Sequence, residues 1–185
     1  MKTLPAIASI VCGLALAVPL QAHRTTGLLQ ASLVEVLPAQ VAVEVTLNPG
    51  TDIAPRMVAL LDHDGDGSLS RTEAESWAAE FLKKQSVSIG GRSVPLVFQA
   101  VQATPLSEMA SGHSLVTVLY TATLGNLANG QQAIVCSNHY EPFESTYQCN
   151  GLVPKSSGVR IASHHRADAQ RELTLNAEFP TPTPS

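Results

Sequence analysis

The chain has 185 residues, 44% of them hydrophobic and 14% charged, with a formal net charge of −4. That length and apolar content fit one globular domain with a core and leave little room for two. The mildly acidic balance, without any polybasic run, excludes nucleic acid and anionic membrane surfaces as expected partners.

Residues 1–22 read as a secretory signal peptide: Lys2 precedes an apolar run from Ile7 through Val18, Pro19 breaks it, and Leu20-Gln21-Ala22 supplies a small-residue cleavage site. The run is short for a bilayer span, so an uncleaved anchor is the less favoured reading and no membrane span is expected after cleavage. Loss of Lys2 takes the formal charge from −4 to −5. The expected location is periplasmic or secreted.

From Leu28 to Leu37 the chain is apolar with β-branched and polar interruptions, and from Gln40 to Asn48 it alternates, with Val41, Val43, Val45 and Leu47 on one face. Alternation marks a strand with one buried face, and Pro38-Ala39 fits a hairpin turn between the two. Period 3.6 then takes over. Ile53, Met57, Leu60 and Leu61 predict a short helix in which Pro55 is tolerated in the first turn and Thr51 or Asp52 can cap the start. Ala74, Trp77, Ala78, Phe81 and Leu82 predict a second, amphipathic helix ending near Lys84, with Ser70 and Glu73 at capping-box spacing.

Between the two helices stands Asp62-His63-Asp64-Gly65-Asp66-Gly67-Ser68-Leu69-Ser70-Arg71-Thr72-Glu73, which fits an EF-hand calcium loop. Calcium is a hard cation that takes six to eight oxygens, so a short loop must fold round it and point alternate residues inward. Asp62, Asp64 and Asp66 supply carboxylates, Ser68 its carbonyl, Ser70 a hydroxyl or bridged water, and Glu73 a closing bidentate carboxylate. Gly67 provides the turn. The competing reading is an acidic, glycine-rich surface turn. Only one such loop is present, so Leu69 must pack on its own domain or on a second copy.

Val87 and Ile89, Gly90-Gly91, and Val94 to Val101 read as a second hairpin, with Pro95 marking an edge or bulge. A loop or helical turn over residues 104–112 precedes a long strand from His113 to Leu124, and short strands follow at residues 132–137, 146–150, 159–163 and 172–178. The expected fold is mainly β, an Ig-like β-sandwich spanning residues 23–179 with the helix-loop-helix inserted at 52–84, and a Pro-rich tail at 180–185.

Cys136 and Cys149 form an even pair in an exported chain and are expected as a disulfide, with reduced buried thiols as the alternative. After cleavage, His23 could chelate copper or nickel through its α-amine and imidazole, with His113, His139, His164 or His165 as a third ligand. Solvated surface histidines are the competing reading. There is no nucleophile elbow, CxxC, HExxH or phosphate-cradling glycine loop, and no enzyme is expected.

Several pieces together carry a resemblance: Ala22-His23, the run from Leu61 to Ser70, the run from Val87 to Leu96, Asn138-His139, and Leu152-Val153-Pro154. With these the chain resembles exported bacterial proteins in which a β-sandwich carries a single EF-hand-like helix-loop-helix, some of them associated with nickel/cobalt exporter-type transporters. The resemblance implies a periplasmic β-domain and a membrane transporter or envelope protein as possible partner. Calcium is expected to clamp the helical insertion onto the β-domain. The alternative is an accessory or metal-responsive protein of a nickel/cobalt or copper transporter, binding its partner in an ion-dependent way.

Overall fold

Alternating burial decides the architecture. The computed structural model describes residues 26–109, 114–127 and 130–180, so the expected signal segment, His23, His113 and the end of the tail lie outside the described residues. Along β1 (Leu28–Val36) and β2 (Gln40–Pro49), Val34, Val36, Val41, Val43, Val45 and Leu47 are all buried, as their parity demands. The two strands pair antiparallel through the turn at Pro38-Ala39.

The helices α1 (Ala54–Leu61) and α2 (Arg71–Leu82) follow, then β3 (Gln85–Ile89), β4 (Arg92–Ser93), β5 (Leu96–Ala103), a single helical turn α3 (Leu106–Met109) and β6 (Val116–Thr123). The chain closes with β7 (Gly130–Asn138), β8 (Ser145–Leu152), β9 (Arg160–Ala167) and β10 (Glu172–Phe179). The strands form two five-stranded sheets, in the orders β5-β6-β2-β1-β8 and β4-β3-β7-β10-β9. Val43, Val45 and Val118 of the first sheet and Ile134, Leu173 and Leu175 of the second belong to one buried cluster, so the sheets share a core as a β-sandwich does. No described helix is long and apolar enough to cross a membrane.

Two expectations are corrected. The strand after Gly90-Gly91 is not a long hairpin partner of β3: only Arg92 and Ser93 pair back, and β5 pairs instead with β6 in the other sheet. Pro95 explains this. The Val94 amide still donates to the Val87 carbonyl at 2.9 Å, but proline has no N–H with which to continue the ladder, and the chain crosses over. At the start of α1, neither Thr51 nor Asp52 caps: the cap position is Ile53, with no side-chain hydrogen bond. The Asp52 carboxylate accepts from the Gly27 amide at 3.2 and 3.3 Å, tying the chain before β1 to the helix entry.

One pairing was not foreseen. β8 lies beside β1 in parallel, from Leu28 opposite Ser145 to Glu35 opposite Leu152. On the same side the sheets approach closely: a Cβ on Gly151 of β8 would come within 2.8 and 3.0 Å of the Leu175 methyls of β10.

Candidate metal centre

The first helix positions the loop. α1 buries Ala54, Met57 and Leu61 on one stripe, and Asp62 still closes a helical turn by donating its amide to the Val58 carbonyl at 2.8 Å. Its backbone then leaves helical space, at φ −99° and ψ 89°. The second helix is started by a complete capping box. The Ser70 hydroxyl accepts from the Glu73 amide at 3.3 Å, and the Glu73 carboxylate accepts from the Ser70 amide at 2.9 Å.

Between these fixed ends the loop turns inward on itself. Asp62 accepts from the amides of Gly65 at 2.8 Å, Asp66 at 3.1 Å and Gly67 at 2.9 Å. Asp64 accepts from Asp66 at 3.1 Å, and Asp66 from Ser68 at 2.8 Å. Gly67 adopts φ +83°, yet a Cβ there would meet no neighbour within 4 Å. Glycine is therefore favoured here by backbone conformation, not by space.

Carboxylate oxygens of Asp62, Asp64 and Asp66 lie within 4.8 Å of one another, the one such grouping of three or more His, Cys, Asp or Glu side chains among the described residues. All three are hard oxygen donors, the chemistry that suits a hard divalent cation. Part of their mutual repulsion is already offset by the inward amides. The loop's order thus rests on backbone donors as well as on any ion.

Glu73 and Ser70 are placed differently. The Glu73 carboxylate accepts from the His63 amide at 2.6 Å, the Asp64 amide at 3.3 Å and the Ser70 hydroxyl at 2.7 Å. These bonds, the Ser70 hydroxyl foremost, bring its pKa down to about 2, so it is ionised at neutral pH. It ties the start of α2 to the start of the loop, beside the aspartate cluster. Ser68 is exposed and contributes its amide to Asp66.

Leu69 is half-buried and packs against the domain's own core, beside a groove of about 1060 Å³ that also touches Phe98, Val101 and Leu106. Of the histidines, His139 faces Asp168 at 4.0 Å on the surface. His164 and His165 are consecutive exposed residues of β9, opposite Leu175 and Thr174.

Residues that sequence reasoning missed join the helices to the sheets. The Trp77 indole donates to the Tyr140 hydroxyl at 3.0 Å, and the Tyr140 ring stands edge-on to Trp77 and Phe81, at 5.9 and 4.9 Å between centroids. The Tyr140 carbonyl accepts from Gln30 at 2.6 Å and from the Tyr147 hydroxyl at 2.9 Å, and its amide donates to Asn138 at 3.0 Å. Asn138 donates to Gln30 and accepts from Gln85, which in turn accepts from the Tyr120 hydroxyl. Gln30, Gln85 and Asn138 are buried, and no described buried side-chain nitrogen or oxygen lacks a partner. The available signal was parity: Gln30 shares the inward face of β1 with Val34 and Val36.

No family model, curated protein or solved structure matches this chain.

Proposed function

We propose that this is an exported calcium-binding protein in which a single EF-hand loop, Asp62 to Glu73, clamps a helical insertion onto an Ig-like β-sandwich. The observation that carries this reading is the convergence of Asp62, Asp64 and Asp66 on one point of a loop bounded by two helices. Calcium suits it better than magnesium, because calcium accepts many oxygens in a flexible arrangement while magnesium holds its waters in a strict octahedron. Glu73 and the Ser68 carbonyl are the further ligands, with Ser70 direct or through water. Ion binding neutralises the cluster and fixes α1 against α2, and the bonds from Trp77 through Tyr140 transmit that order to both sheets. Neither a catalytic role nor a nucleic-acid partner is proposed.

Extracellular modules of this kind bind calcium with Kd of about 10⁻⁴ to 10⁻³ M. At a hundredfold excess over Kd the stabilisation is about 2.7 kcal/mol. At the tighter end of that range the excess is reached at about 10 mM Ca²⁺, which predicts a rise in melting temperature of roughly 5–10 °C there, little rise in equal Mg²⁺, and none for Glu73→Ala. Identical melts in Ca²⁺ and in chelator would overturn the reading.

A second reading is favoured by an apolar cleft of about 530 Å³ beside Glu73, lined by Leu60, Trp77, Tyr140 and Pro142. In it, calcium regulates docking of a membrane transporter for nickel, cobalt or copper, or of another envelope protein. A partner that binds with Ca²⁺, is released by chelator and is lost with Leu60→Asp supports this over a clamp alone.

A further inference from the structure

Cys136 and Cys149 belong to different sheets, β7 and β8, and both side chains are buried on the inward faces. Cys136 sits opposite Leu173 of β10, and the Cys149 sulfur lies 3.6 Å from the carbonyl oxygen of Glu172, the residue before Leu173. Both cysteines line one small interior space together with Val34, Tyr120 and Leu173. The sheets are already close here. A Cβ on Gly151, two residues beyond Cys149 on β8, would meet a Leu175 methyl at 2.8 Å, and Arg166 of β9 donates to the Cys149 carbonyl at 2.6 Å. The thiols are free in the structure.

We infer that Cys136 and Cys149 are the two ends of an intersheet disulfide, made while the chain folds and sealed once the sheets close. The oxidant is a disulfide of the low-molecular-weight or protein dithiol class. One cysteine, as thiolate after loss of its proton, attacks a sulfur of that disulfide, giving a mixed disulfide and expelling one oxidant thiolate. The other, likewise deprotonated, attacks the cysteine sulfur of the mixed disulfide and expels the second. Two cysteine protons and two electrons leave the protein, and the oxidant ends as two thiols.

The order of events follows from burial. Enclosure between the sheets, with Cys149 close by, pushes the Cys136 thiol up to about 12, so the folded, reduced protein holds almost no nucleophilic thiolate there. Exchange then belongs to the unfolded or partly folded chain, in which both thiols are near their ordinary values and open to the oxidant. This inference is independent of calcium.

The test uses the full chain with Cys12→Ser, refolded from reduced denatured protein in mixed oxidised and reduced glutathione. It is then denatured, alkylated with N-ethylmaleimide and weighed. The expected result is no maleimide adduct, a mass two hydrogens lower, and a proteolytic peptide pair joining Cys136 to Cys149. Protein folded first under reducing conditions and then exposed to the same buffer is expected to oxidise at least tenfold more slowly. Two maleimide adducts after oxidative refolding, or linkage only to glutathione or between two chains, would overturn the bridge. Equal oxidation rates for folded and unfolded chains would overturn the sealing.

Discussion

At Glu73 one carboxylate ties the start of the loop to the start of α2, and that role can be measured without any ion. Its pKa lies at about 2 against an ordinary 4.5, because ionised oxygens accept from Ser70, His63 and Asp64. A depressed folded pKa contributes stability that is fully present above the unfolded value and is lost as pH falls through the folded one. In chelator, the melting-temperature gap between the wild type and Glu73→Gln should therefore be widest above pH 5, narrow between about 4.5 and 2, and close below that. A gap independent of pH over that range would show that the carboxylate is not held this way. Under the proposed function, ligation would draw on the same oxygens, so calcium and the loop amides would share one acceptor. The capping box was legible in the sequence, since the spacing of Ser70 and Glu73 is local. The amides that turn onto Asp62, Asp64 and Asp66 were not, because they belong to backbone conformation rather than to residue type.

Among the elements, α2 is joined to the connection between β7 and β8 through Tyr140. The helix presents Trp77 and Phe81 at i and i+4, and Tyr140 meets both rings while accepting the indole proton. Tyr140→Phe keeps the ring but strands a buried N–H, at a cost of about 1–3 kcal/mol. Urea unfolding followed by Trp77 fluorescence checks this directly, since the chain has one tryptophan. An unchanged midpoint would mean that ring packing alone seats the helix. The stripe on α2 was legible from its period. Its partner was not, because Tyr140 lies 63 residues away in a connection without periodicity. The hairpin expected after β3 stops at Ser93 for a related reason: alternation identifies a strand, but the choice of sheet for the rest was made by Pro95.

For the whole molecule, alternation predicted most strands and, for β2, the face from Val41 to Leu47 that is buried, and hence a mainly β fold. It could not order them. Strand order depends on which edges meet across long separations, and the parallel contact of β1 with β8 leaves no local trace. The close approach of β8 to β10 is equally silent in the sequence, apart from the glycine that permits it. Gly151→Val should crowd Leu175, push the sheets apart and cost about 1–3 kcal/mol. Thermal denaturation of the variant tests this, and an unaltered melting temperature would mean that Leu175 has room to turn aside. The far edge, at β5 and α2, should tolerate such changes better, because half-buried side chains there border an open groove.

The parallel pairing also has a consequence in time. As the chain is made, β1 and β2 can close their hairpin at once, but the outer edge of β1 waits for Ser145, 117 residues later by its register with Leu28. Until β8 arrives, a row of unpaired amides and carbonyls stands exposed beside the hairpin, a template for any other extended chain. Contacts of such sequence separation also slow folding, towards the millisecond-to-second range of non-local β proteins. The interval before β8 docks is therefore when the molecule is most open to aggregation and to strand capture, and a chain shortened before residue 145 would keep that edge open permanently.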